Sequence, residues 1–502
     1  MRATQTSDAL LAATLTVLSL GLWFCLGFPW QHHNESLVWA IELQKASLWE
    51  AWVSNPITPV QTYRPLGVML AWLGFHATHG GIWLQQLFNL VFTAVAWIVA
   101  LLAAKRSERL TFAWLACVAI GGFFSGYIYL FHLHGVFYGP LLLFLALLQR
   151  DADRDTALTW HSAGCLLGLA AIFAAFHTFA FLFFAAYISG RWLQNRLLGR
   201  PASVLAALAT ILLAAAATKL LVASSSDLVQ GSLIAGLLAS YKAFEINALL
   251  SGLAIVLAVL AGAAGTRTKR RALGGLLALS LGLACWAMHL PAIFAWIIVC
   301  QLRTLFSGRF ALAALIAVTA LLPIATATGS PTYALFVVMP CVAVTAHGWD
   351  WSERSHRVLR RAALAALIAV PTLLLVLKLG ITVPGVSKLV QPLQAEREKT
   401  EQMAQVFGWL DAHQDISGGL TLCQPGDFPV RSNTAVERQY RAPTHTWPFN
   451  EYLKARYGTR LVQAAPILLL CFGGDTRAGA EVLDTVPGRW ANAATLLRLP
   501  AP

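Results

Sequence analysis

The stretch TKRRALGGLLALSLGLACWAMHLPAIFAWIIVCQLRTLFSGRFALAALIAVTALL (268–322) shows the pattern that decides the fold of this chain. Apolar runs follow one another, and basic residues stand at 269–271 and again at Arg303 and Arg309. A membrane-spanning helix needs about 20 mostly apolar residues, and positive charge concentrates at the cytoplasmic ends of such helices. The stretch is therefore typical of consecutive membrane spans.

The composition of the whole chain agrees with this interpretation. Of its 502 residues, 58% are hydrophobic and only 12% are charged, whereas soluble domains carry about 25% charged residues. A soluble globular protein is therefore excluded as the main body. A disordered chain is excluded as well, because disorder requires low hydrophobicity and high charge. We expect an all-α polytopic membrane protein.

Apolar segments recur along the chain and define its organisation. They lie at residues 9–29, 65–79, 82–104, 110–129, 134–149, 160–175, 178–190, 202–222, 246–265, 272–289, 291–306, 310–328, 332–347 and 358–382. Segment 65–79 is short for a span, and Trp72, His76 and His79 suit an interfacial helix on the outer face. The other segments predict about 13 transmembrane helices, with two short helices split at His177.

The position of the basic residues predicts the orientation of these spans. A net charge of +13 is typical of proteins that bind nucleic acid, but the positions of the charges along this chain give another explanation. With 13 spans, the clusters at residues 2, 105–109, 150–154, 191–200, 267–271, 303–309 and 354–361 all face one side. The outward loops of the membrane region then hold only Lys45, Arg64, Lys219 and Lys242. The positive-inside rule therefore predicts a cytoplasmic amino terminus, and the basic residues do not indicate a nucleic-acid partner. A retained first span without organelle signals favours a bacterial inner membrane.

Hydropathy also predicts two domains. Residues 1–382 form a transmembrane domain that includes an outer loop at 30–81, and residues 383–502 form a polar periplasmic domain. The first apolar segment is expected to be a retained span, since no convincing cleavage site follows it.

The polar carboxyl-terminal part is predicted to be a small α/β domain. Residues 387–413 have the pattern of an amphipathic helix, and residues 418–423 and 465–472 have that of short strands. Cys423 and Cys471 each end a strand-like run. An outward domain lies in an oxidising compartment, so a disulfide and two buried thiols are both open interpretations.

Acidic side chains on the outer face are the candidates for a general base. On this topology the membrane domain presents five of them, namely Glu35, Glu42, Glu50, Asp227 and Glu245. Glu35 follows the first span directly in WQHHNES (30–36), at a depth where ionisable groups are costly and often functional. The alternative is an ordinary solvated loop start. Glu42 lies seven residues later, so both acids can share one face of a helix.

Further polar residues face the same side. Arg64 is suited to bind phosphate through charge-assisted hydrogen bonds, or to snorkel at the interface. His132 and His134 are substrate-binding candidates or polar caps of a helical hairpin, and His177 is a substrate-binding candidate or a buried core histidine. Lys242 lies in the predicted outer loop 223–245, which we interpret either as a lid over the site or as a plain connector between helices.

The order of these elements resembles the GT-C superfamily of membrane glycosyltransferases, especially its protein O-mannosyltransferase and lipid A aminoarabinose transferase branches. An acidic pair opens the first outer loop in that family, and a Pro-Leu element closes it. Here Asn34-Glu35 and Tyr63-Arg64-Pro65-Leu66 stand at those places. The chain departs from the family in two features, because the second outer loop has His132 and His134 but no acid, and Thr332-Tyr333 replaces the usual late Arg.

The resemblance implies an inverting transferase that takes a sugar from a polyprenyl-phosphate donor. The acceptor is a glycan, a lipid or a protein, and Glu35 is the base. The substrate-binding residues are His33, Asn34, Tyr63, Arg64, His132, His134, His177 and Lys242. No cofactor is certain, and a divalent cation (Mg²⁺ or Mn²⁺) stays open. A transporter or flippase of lipid-linked sugars and a non-catalytic family member are the alternatives.

Overall fold

The computed structural model describes about half of the chain. The described residues are 10, 11, 14, 43, 46–53, 64–77, 135–154, 157–199, 233–244, 248–264, 268–326, 334–347, 357, 361, 364, 365, 368, 405, 408, 420–422, 468–472, 479–486 and 494–498. Within them most residues are helical. None of the helices in this described part is both long enough and apolar enough to cross a membrane.

The described helices and strands follow one another along the chain. The helices are α1 (Leu48–Val53), α2 (Pro65–Ala77), α3 (Gly135–Arg154), α4 (Trp160–Ala174), α5 (Phe179–Leu197), α6 (Leu233–Phe244), α7 (Ala248–Ala263), α8 (Thr268–Ala287), α9 (Ile293–Phe306), α10 (Phe310–Thr326) and α11 (Ala334–His347). The strands are β1 (Leu420–Leu422), β2 (Leu468–Phe472), β3 (Glu481–Val486) and β4 (Ala494–Arg498).

The chain forms two compact units. One contains Met1–Leu22, Trp52–Leu70 and Asn89–Leu373, and the other contains Trp23–Ala51, Ala71–Phe88 and Leu374–Pro502. The sequence predicted a single domain boundary between residues 382 and 383, whereas each structural unit combines three separate segments. The roles predicted for the two domains stay predictions.

Helices α4 and α5 are separated by a turn at residues 175–178. Thr159 caps α4, because its hydroxyl accepts the backbone N–H of Ser162 while the Ser162 hydroxyl accepts that of Thr159. The helix ends at Ala174, and α5 begins two residues after His177. The two short helices predicted on either side of His177 agree with this arrangement.

Helix α5 extends beyond the predicted apolar segment 178–190. It continues through Arg191 to Leu197 and buries the Arg191 side chain. The placement of Arg191 in a cytoplasmic basic cluster stays a prediction. The helix packs closely on α10 at Gly190, where an added Cβ would lie 2.4 Å from the Phe310 carbonyl oxygen. Because Gly190 lets the backbones approach, this end of α5 lies inside the packed unit.

The core of the first unit consists of aromatic and aliphatic side chains between the helices. Phe144, Phe183, Tyr187, Trp296 and Phe336 are almost fully buried. The Trp296 indole N–H lies in this core and donates to the Thr345 hydroxyl at 2.9 Å, which satisfies its one polar group.

The described strands form one sheet in the second unit, with the order β1-β2-β4-β3. Strand β1 is parallel to β2, and the other pairs are antiparallel. Strands β1 and β2 lie inside the two predicted strand segments, whereas β3 and β4 were not predicted. Of the helix predicted at 387–413, the structure describes only residues 405 and 408, and both are helical. Cys423 lies outside the described residues, so its disulfide with Cys471 stays an open prediction.

Helices α7 and α8 approach each other closely at Gly262 and Gly274, so two glycine substitutions on α7 should change stability in opposite directions. A Cβ added to Gly262 would lie 2.4 Å from the Gly274 carbonyl oxygen, whereas one added to Gly252, also on α7, would meet nothing within 4 Å. We expect Gly262→Ala to destabilise the protein by about 1–3 kcal/mol through overpacking. Gly252→Ala should stabilise it by about 0.5–1 kcal/mol, since alanine loses less backbone entropy in a helix.

Thermal unfolding of the purified variants measures both changes, with Gly252→Ala as the matched control. Equal shifts in the midpoint temperature would contradict the close approach of α7 and α8.

Candidate functional site

A backbone junction joins the start of α2 to the turn between α4 and α5. The N–H groups of Leu66 and Gly67 both donate to the Ala175 carbonyl oxygen, at 3.0 and 3.4 Å. The first amides of a helix lack partners within it, as do the last carbonyls. The carboxyl end of α4 therefore supplies the acceptor that the amino end of α2 needs. Pro65 is well suited to the first position of α2, because proline has no backbone N–H that would need an acceptor there.

Arg64 lies directly before this junction. Its carbonyl oxygen accepts the Val68 N–H at 3.0 Å, so the residue closes the first turn of α2. The side chain is half-buried, and its Nε atom is buried. A half-buried guanidinium next to a helix amino terminus is suited to hold an anion, because both groups carry positive charge.

His177 lies two residues after the Ala175 acceptor and is buried, with 1% of its surface exposed. Its Nδ1 atom accepts the Phe179 backbone N–H at 3.2 Å, and its ring packs on the Phe179 ring with centroids 4.3 Å apart. An Nδ1 that accepts a hydrogen bond leaves the proton of the neutral ring on Nε2. The ring is therefore held in one tautomer, as a donor at Nε2.

A second feature lies in the other unit, where the end of α2 meets residues 43–47. Trp72 and His76 donate to the carbonyl oxygens of Ala46 and Leu43. The sequence predicted that both side chains lie in a helix at the lipid interface, and this placement stays a prediction. In the structure each side chain bonds a backbone carbonyl.

The same loop contains a hydrogen-bonded corner at Ser47. Its N–H donates to a Glu50 carboxylate oxygen at 2.6 Å, and the Glu50 N–H donates to its hydroxyl at 3.2 Å. The Ser47 N–H and hydroxyl hold the pKa of Glu50 below the usual carboxyl value. Glu50 therefore caps the start of α1.

The remaining predicted site residues divide into two groups. Lys242 is exposed on α6, and among the described residues no hydrogen bond or ion pair joins it to Arg64 or His177. The others lie outside the described residues, namely His33, Asn34, Glu35, Tyr63, His132 and His134. Of the candidates, the structure thus brings together the turns that carry Arg64 and His177.

Sequence reasoning missed one feature of the site. Ala175 contributes a backbone carbonyl, and no side-chain pattern marks such a group. It also missed a contact elsewhere in the same unit, where Asp151 accepts a hydrogen bond from the buried Tyr187 hydroxyl at 2.5 Å and joins α3 to α5. An aspartate near a predicted helix end and a tyrosine within an apolar run were the available signals, and neither specifies the pair.

Metal ligands and known relatives add no further assignment. No group of three His, Cys, Asp or Glu side chains suited to a metal ion occurs within the described ranges. The chain matches no protein-family model, no curated protein and no solved structure. The resemblance to GT-C enzymes and the choice of Mg²⁺ or Mn²⁺ therefore stay predictions.

The buried hydrogen bond of His177 generates a prediction about stability. We expect His177→Ala to destabilise the protein by about 2–3 kcal/mol, since it removes a buried ring and leaves the Phe179 N–H without its acceptor. His177→Asn keeps an oxygen near the place of Nδ1 and should lose about 1 kcal/mol less.

Urea or thermal unfolding of the purified variants measures this difference. If the two variants lose the same stability, the Nδ1 contact does not hold the turn.

Proposed function

We propose that the protein is an integral membrane glycosyltransferase of the bacterial inner membrane. It moves a sugar from a polyprenyl-phosphate donor to a glycan, lipid or protein acceptor on the periplasmic face, with inversion. Glu35 is the base. The proposal rests on the order of the sequence elements, and one structural observation supports it most directly.

That observation is the junction between α2 and the α4–α5 turn. Arg64 lies two residues before the donor Leu66, and His177 lies two residues after the acceptor Ala175. Two elements separated by more than a hundred residues are thus hydrogen-bonded neighbours. Arg64 was predicted as a phosphate ligand and His177 as a substrate-binding or buried core residue, so the adjacency of their turns supports one substrate site at this junction.

Exposed apolar side chains support the membrane part of the proposal. Four apolar side chains on α8 have more than half of their surface exposed, namely Leu273 (59%), Leu276 (60%), Leu277 (61%) and Trp286 (61%). Arg270 is exposed at the amino end of the same helix. Water disfavours such a surface, whereas hydrocarbon with basic groups at its cytoplasmic edge suits it.

The chemistry is a single displacement at the anomeric carbon. The acceptor oxygen forms a bond to that carbon as the carbon–oxygen bond to the phosphate breaks. The hydroxyl proton passes to Glu35, and polyprenyl phosphate leaves. Arg64 offsets the charge that develops on the leaving phosphate, while the buried His177 ring fixes the turn beside it. One displacement at the anomeric carbon inverts its configuration.

A deletion strain tests the base. Complementation with the wild-type gene should restore an envelope glycan, whereas Glu35→Gln should lower it at least a hundredfold, because the amide cannot take up the acceptor proton. Mass spectrometry of envelope glycans measures the product at equal protein levels in the membrane fraction. Glu481→Gln is the matched control, since Glu481 is exposed on β3 and pairs with Arg498.

The alternatives give different results. Full activity of Glu35→Gln would remove Glu35 from the mechanism. If deletion changes no glycan, the transferase proposal fails and a structural role is favoured, while accumulation of an untransferred lipid-linked sugar on the cytoplasmic face would indicate a flippase.

The same strain tests Arg64. We expect Arg64→Gln to lower the glycan about tenfold or more and Arg64→Lys to retain part of it, since lysine keeps the charge without the bidentate geometry. Identical yields from both variants would exclude a charge-based role for Arg64.

A further inference from the structure

We propose that Tyr241 is a positioning residue that holds Lys242 at the end of the helix bundle where the Arg64–His177 junction lies. The inference rests on the proposed function, because Lys242 matters for transfer only if a polyprenyl phosphate binds at that end. Lys242 contacts the phosphate, whereas Tyr241 acts through Lys242 and touches no substrate.

The Tyr241 side chain anchors the carboxyl-terminal part of α6 to two other helices. It is fully buried, and its hydroxyl donates to the Ala320 carbonyl oxygen of α10 at 2.9 Å. Its ring packs edge-on against the Phe294 ring of α9, with centroids 4.9 Å apart. Because a buried hydroxyl without a partner is costly, the hydrogen bond to Ala320 fixes the position of the side chain.

Helix α10 offers an acceptor here because its backbone hydrogen bonding is interrupted in the same turn. Pro323 lies inside α10 and has no N–H, so the carbonyl of Thr319 cannot receive its usual backbone donor. The Thr319 hydroxyl also bonds carbonyls of the preceding turn, a contact that often bends helices. Both features open this turn to a donor from another helix, and Tyr241 supplies one at Ala320.

The packing of α10 on α5 gives the relative direction of the two helices. The amino end of α10 meets α5 at Gly190, and the Ala311 N–H donates to the Gln194 side-chain oxygen at 3.5 Å. Helix α5 ends shortly after Gln194, yet the two helices pack on each other extensively. The contact must therefore use the part of α5 that precedes Gly190, so α10 runs antiparallel to α5.

Helix lengths then bring Tyr241 close to the start of α5. Phe179 lies about 16 Å along α5 from Gly190, since each residue of a helix adds about 1.5 Å. Ala320 lies about 14 Å along α10 from Ala311. Tyr241 therefore bonds α10 within about one helical turn of the height of Phe179, which directly follows the His177 turn.

The hairpin of α9 and α10 gives the same placement independently. The two helices are joined by the short turn at residues 307–309, and Gly190 of α5 meets Phe310 just after this turn. Phe294 lies at the opposite end of α9. Since Tyr241 contacts both Phe294 and α10, it lies at the open end of the hairpin, away from Gly190.

This placement has a consequence for Lys242, which follows Tyr241 and is exposed. Its ammonium group and the half-buried guanidinium of Arg64 belong to the same end of the unit, because the Arg64 turn is hydrogen-bonded to the turn before α5. Two cations on separate helices suit a phosphate group, which carries about two negative charges. The Tyr241 hydrogen bond limits sliding and rotation of α6 and thereby holds Lys242 within reach of that phosphate.

Binding of farnesyl phosphate to the purified full-length protein in detergent tests the inference, with farnesol as the control ligand that lacks the phosphate. We expect Lys242→Gln to weaken farnesyl phosphate binding about tenfold, whereas Lys242→Arg should retain most of it because the charge is kept. Tyr241→Phe preserves the ring and removes only the hydroxyl, so it should weaken binding about fivefold.

A matched variant and a double variant separate positioning from general stability. Tyr187 is equally buried, and its hydroxyl donates to Asp151 and so joins α3 to α5 instead. Tyr187→Phe should therefore leave the affinity for farnesyl phosphate unchanged, although it removes the same kind of hydrogen bond. Because Tyr241 acts only through Lys242, the double variant Tyr241→Phe/Lys242→Gln should bind as weakly as Lys242→Gln alone.

Each outcome decides the inference. Equal affinity for farnesyl phosphate and farnesol, or unchanged affinity in Lys242→Gln, overturns the phosphate contact of Lys242. A further loss in the double variant, or the same loss in Tyr187→Phe, overturns the positioning role of Tyr241.

The deletion strain distinguishes this inference from the proposed function. If the wild-type gene restores no glycan while phosphate binding depends on Lys242 and Tyr241, the transferase proposal fails and the phosphate site stands. If the wild-type gene restores the glycan and Lys242→Gln restores it equally, with unchanged phosphate binding, the inference alone fails.

Discussion

The unsatisfied backbone groups at helix ends are the constraint on which the described structure depends. The amides that open α2 find their acceptor in the Ala175 carbonyl at the close of α4. The two N–H groups of α2 and the one carbonyl at the close of α4 would otherwise need water or a side chain. This exchange places the turn that carries Arg64 beside the turn that carries His177.

The loop between the first predicted span and α2 obeys the same constraint with side chains as donors. Trp72 and His76 satisfy carbonyls at one helix end, and Ser47 satisfies an amide at the start of the next helix. A tryptophan or histidine in a predicted interfacial helix is usually assigned to lipid headgroups. In this chain their polar atoms also bond backbone carbonyls at Ala46 and Leu43.

Hydropathy predicted much of the architecture. Helices lie within the segments expected at 65–79, 160–175 and 291–306, and strands lie within 418–423 and 465–472. Hydropathy did not predict the full length of α5, which continues past residue 190 and buries Arg191. Charge indicates the cost of burying a residue, whereas the close backbone approach at Gly190 is a feature of the tertiary structure.

The sequence by itself determined which segments are apolar, where positive charge accumulates, and which few residues have the chemistry of a base or a phosphate ligand. These properties depend on the side chains alone, so they can be read without coordinates. Only the tertiary structure decided that the Arg64 and His177 turns adjoin, that His177 accepts the Phe179 N–H, and that Trp72 and His76 bond the carbonyls of Ala46 and Leu43. Each of these contacts uses a backbone group, which every residue carries and which leaves no signature in sequence.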